Sequence, residues 1–92
     1  MADRLTVTQK VETLEICESL GTFEAFQVAC EYVGKYDRRI DWHEFAYWFD
    51  QLNIKGILEL VTPGGWMKYK FAPGQPAPLL VLLKENPEYT IY

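Results

Sequence analysis

Apolar residues recur every three or four positions through the first fifth of the chain. This spacing predicts a helix from about Val7 to Leu20. Thr6 and Gln9 have the separation of a capping box at its start, and Gly21 suits its end. The face expected to be buried is formed by Val7, Val11, Leu14 and Cys17.

The same spacing continues in a second stretch, for which Thr22 is an acceptable N-cap. A second helix is therefore predicted, ending at Gly34. Its expected buried stripe consists of Phe23, Phe26, Cys30 and Val33. The polar residues 35–39 then form a short connection.

A third helix is predicted to start at Asp41, which forms a D-x-x-E capping pair with Glu44, and to end near Asn53. One narrow arc of this helix is apolar and should face the core; it holds Trp42, Phe45, Phe49 and Leu52. The opposite side should face outward; it holds His43, Tyr47, Asp50 and Ile54.

Residues 57–61 and 66–71 predict two β-strands, joined by a Thr-Pro-Gly-Gly turn. In the second strand, period two places Met67, Tyr69 and Phe71 toward the core and Trp66, Lys68 and Lys70 outward. Residues 72–78 hold three prolines and one glycine, which excludes helix or central strand and predicts an arm. The apolar run from Leu79 to Leu83 is too short to assign. It either packs back on its own domain or forms a homodimer seam.

The third helix leads through Lys55, Gly56 and Ile57 into the first hairpin strand, and in the second strand Tyr69 stands two residues from Phe71. Three helices followed by such a hairpin resemble a winged helix-turn-helix domain. The expected fold is therefore α+β: a three-helix winged helix over residues 1–73 with a C-terminal hairpin wing. Residues 74–92 form an extended C-terminal arm, packed on the domain or on a partner. The two features are general to the fold and indicate no subfamily.

The resemblance implies binding of duplex DNA, with the third helix in the major groove. It places His43 and Tyr47, with Asp50, at the base-reading face. The basic residues expected near the turn, the end of the third helix and the wing are Lys35, Arg38, Arg39, Lys55, Lys68 and Lys70. The third helix departs from the DNA-binding pattern because it contains acidic residues and no Lys or Arg, which commonly read bases. The resemblance is therefore equally consistent with a protein partner.

The charge distribution leaves the same two alternatives. The net charge is −4, whereas a protein that simply coats phosphates would be basic. Residues 1–34 carry two basic and six acidic residues, but residues 35–73 carry six basic and five acidic ones. The middle of the chain is thus the part that could contact nucleic acid.

No arrangement of residues in the sequence predicts catalysis, a metal or a cofactor. Cys17 and Cys30 lie on apolar stripes and are expected to be reduced and buried. His43 has no ligand partners at suitable spacing, and the calcium-loop-like run around Asp41 lacks its first ligands and its glycine. The start has no signal-peptide pattern and no segment reaches about 18 apolar residues, so a cytoplasmic protein without a membrane span is expected.

Exposed aromatic residues suggest a second type of partner surface. Trp42 is expected in the core and Trp48 at its margin, whereas Tyr47 and Trp66 are expected outside. Tyr47, Trp48 and Trp66 are therefore candidates for a protein interface, unless they form a small core under the C-terminal arm. The sequence predicts a small non-enzymatic binding protein. It is either a DNA-binding transcriptional regulator or a protein interaction module, such as an assembly subunit or an inhibitor from a phage or mobile element.

Overall fold

Four helices and three short strands make up the part of the chain that the computed structural model describes, residues 5–62 and 67–85. The elements are, in chain order, α1 (Val7–Leu20), β1 (Thr22–Phe23), α2 (Ala25–Tyr36), α3 (Trp42–Ile54), β2 (Leu58–Thr62), β3 (Lys68–Phe71) and α4 (Ala77–Glu85). The predicted α+β class is confirmed. The turn between β2 and β3, including Trp66, lies outside the described residues.

Local hydrogen bonds fix the helix ends that the sequence predicts best. The Thr6 hydroxyl accepts from the Gln9 backbone N–H at 3.1 Å, and the Gln9 side chain accepts from the Thr6 N–H at 2.9 Å. This reciprocal capping box starts α1. Gly21 ends α1 with φ of +81°, a left-handed value that glycine adopts without strain. The Asp41 side chain accepts from the His43 N–H at 3.0 Å and starts α3.

The sheet is antiparallel, with strand order β1–β3–β2. β2 and β3 form the predicted hairpin, with an irregularity between Leu60 and Thr62. β1 is a correction to the sequence analysis, because Thr22 belongs to a strand and does not cap α2. Its partner is Lys70 of β3, and the N-cap of α2 is Glu24. Pairing with β3 gives the backbone groups of β1 hydrogen-bond partners.

An aromatic cluster lies at the centre of the core. The ring of Phe49 packs edge-on against Phe23 at a centroid distance of 5.2 Å and against Tyr69 at 6.0 Å. Phe45 and Trp48 lie 6.3 and 6.1 Å from the same ring. The prediction that Phe45 and Phe49 are core residues is confirmed, since both are fully buried.

The prediction for the face of α2 was wrong. Phe26 and Val33 are exposed by 50% and 38%, and Cys30 is also exposed. The buried residues of α2 are Ala25, Val28 and Tyr32, whose centre lies about 130° around the helix from that of the predicted stripe. Because α2 has two apolar faces, periodicity alone did not identify the inner one. The helix also continues through Gly34 to Tyr36.

The buried side of α3 is rotated from the predicted one. It includes Glu44 and Trp48, and Trp42 lies at its edge. Trp48 is fully buried and was wrongly placed at an outer interface. Lys10 of α1 covers the Trp48 ring, with Nζ 5.7 Å from the ring centroid. Trp42 is only half-buried, contrary to its expected place in the core.

Two further expectations near the sheet and C-terminus were also wrong. Met67 is 52% exposed and does not join Tyr69 in the core. The sequence analysis excluded helix from residues 72–78, but α4 starts at Ala77 and includes Pro78, since proline is tolerated in the first turn of a helix.

The segment from Leu79 to Leu83 packs back on its own domain, which is the first of the two alternatives given by the sequence analysis. It belongs to α4, which lies against α1, and the side chains of Leu79 and Leu83 are buried. These two leucines are therefore not available for a seam between copies. No helix among the described residues has the length and apolarity needed to traverse a membrane.

Candidate recognition surfaces

The outward side of α3 forms one candidate surface, the outer face of α3, which we define as His43, Tyr47, Asp50 and Ile54. His43, Asp50 and Ile54 are exposed, and Tyr47 is half-buried. The exposure of Ile54 reaches 70%, the highest of the large exposed apolar residues described. The face thus combines an aromatic ring, an aliphatic side chain and a carboxylate, as its spacing of four, three and four residues predicts.

Hydrogen bonding and stacking order the start of this face. Asp41 Oδ1 lies 2.8 Å from His43 Nδ1, and the Trp42 and His43 rings stack at a centroid distance of 3.9 Å. Further along, burial and then the negative charge of Asp50 raise the pKa of Tyr69 above its ordinary value.

Basic side chains flank α3 at both ends, where the sequence analysis placed them. Lys35 stands in the last turn of α2, and Arg38 with Arg39 follows in the connection to α3. Lys55 caps the other end of α3. All four residues are exposed. No Lys or Arg belongs to the outer face of α3 itself.

The basic residues of the hairpin are less available. Lys68 is half-buried, and Lys70 is exposed. Lys70 Nζ lies 3.8 Å from Glu59 Oε1 across the β2–β3 pair. This exposed ion pair is weak, but it offsets the positive charge that Lys70 would offer to a phosphate.

An apolar groove between α2 and the start of α3 forms the second candidate surface. It is open to solvent and has a volume of about 670 Å³. One wall is the outer stripe of α2, defined here as Phe26, Ala29, Cys30 and Val33, and the other wall includes Ile40 and Trp42. The sequence analysis missed this groove because it assigned three residues of the stripe to the core. The signal that could have found it is the second apolar face of α2.

The three residues of the predicted aromatic interface have different positions. Tyr47 is half-buried on the outer face of α3, whereas Trp48 points into the core and Trp66 lies outside the described residues.

The two cysteines differ in exposure. Cys17 is buried and burial raises the pKa of its thiol, while Cys30 is exposed in the groove. Within residues 5–62 and 67–85, no three His, Cys, Asp or Glu side chains come together as metal ligands.

Comparisons of the chain with protein-family models, with curated proteins and with solved structures each found no match. The two surfaces are therefore interpreted from their own chemistry.

Proposed function

We propose that this protein is a non-enzymatic winged-helix module that recognises another protein through the outer face of α3. The order of helix, turn, helix and hairpin supports the winged-helix assignment. In that fold, the helix at the position of α3 commonly contacts the ligand. The observation that carries the proposal is the composition of its outer face, which exposes Ile54 and Asp50 and holds no Lys or Arg.

This composition suits a protein partner better than base edges. Ile54 and Tyr47 offer apolar area that loses its water on contact, and such anchors dominate protein interfaces. Asp50 favours a basic group on the partner, whereas it repels phosphates. The partner surface is therefore expected to pair an apolar pocket with a lysine or arginine.

DNA binding is the second candidate, supported by the exposed basic residues at both ends of α3. Affinity would come from phosphate contacts, since the outer face of α3 lacks cations. Contacts from Lys35, Arg38, Arg39, Lys68 and Lys70 would give a log–log salt slope of about −4 to −5. Reversing the charge of Arg38 and Arg39 would remove about two units of that slope.

Substitution of Asp50 by Asn distinguishes the candidates because its effect has opposite signs. Asp50→Asn should weaken recognition of a basic protein surface, because an attractive charge is lost. The same substitution should tighten binding to duplex DNA, because repulsion of the phosphates is lost. Tagged protein would be used to capture partners from a lysate of its source cells, with and without nuclease. Duplex binding would be followed by fluorescence anisotropy at about 50 mM salt, where phosphate contacts are strong.

The proposal expects a nuclease-resistant partner that Ile54→Glu and Asp50→Asn release. Val81→Glu is the matched control, because Val81 is an exposed apolar residue on α4, at 54% exposure. Circular dichroism would establish that each variant is folded. A nuclease-sensitive capture, or duplex binding that Asp50→Asn strengthens, would support the DNA candidate instead.

A further inference from the structure

We draw no further inference here: the strongest candidate, the apolar groove between α2 and the start of α3, is open to solvent, and nothing in the structure shows what covers it.

Discussion

Removal of one hydroxyl group, by Tyr32→Phe, should change how the stability of the protein depends on alkaline pH. Tyr32 is fully buried on α2, and its hydroxyl donates a 2.6 Å hydrogen bond to Glu12 Oε1 on α1. Burial, followed by the hydrogen bond and charge of Glu12, raises the pKa of Tyr32 from 10.0 to about 12. The native state therefore holds this proton more tightly than the unfolded chain does.

The sign follows from proton linkage. Below pH 10, Tyr32 is protonated in both states and its full contribution to stability is present. Between pH 10 and pH 12, the unfolded chain releases the proton first, so the free energy of unfolding falls as pH rises. For a two-unit difference in pKa, the loss is about 1.4 kcal/mol by pH 11 and approaches about 2.7 kcal/mol above pH 12.

Urea unfolding of wild type and Tyr32→Phe at pH 8 and pH 11 measures this effect. At pH 8, the variant should be less stable by roughly 1–3 kcal/mol, because a buried hydrogen bond to a carboxylate is lost. By pH 11, the difference should shrink by about 1.4 kcal/mol, since only wild type carries the Tyr32 titration. Titrations common to both proteins cancel. If the two proteins lose stability in parallel between these pH values, the raised pKa of Tyr32 in the native state is refuted.

Three further predictions concern stability. Phe49→Ala should cost roughly 3–5 kcal/mol in chemical unfolding, and the same change at half-exposed Phe26 less than half as much; equal losses would contradict the described core. Asp41→Ala should lower the stability by about 1 kcal/mol because the N-cap of α3 is lost, whereas Asp41→Asn should keep most of that stability. If the two variants melt at the same temperature, the cap contributes nothing. A chelator should leave the thermal melt unchanged, and a fall of many degrees would reveal a structural metal.

The sequence by itself determined the elements whose signals are local. The capping box at Thr6 and Gln9 forms between residues three apart, so no distant contact is needed to start α1. The apolar arc around Phe45 and Phe49 and the alternation in β3 likewise predict α3 and the hairpin. The outward positions of His43, Asp50 and Ile54 and the exposed basic residues beside α3 also followed from spacing. Their role in binding stays a prediction.

Tertiary contacts decided the rest. β1 exists because β3 is present to pair with it, and two residues at a helix start give no local sign of that partner. α2 carries apolar residues on more than one side, and packing against α1 and α3 buries Val28 and leaves Phe26 half-exposed. Tertiary packing also places Lys10 of α1 over Trp48 and α4 against α1. Local periodicity shows how apolar residues are distributed around a helix or strand. Which of its faces is buried depends on the elements that pack against it in the folded structure.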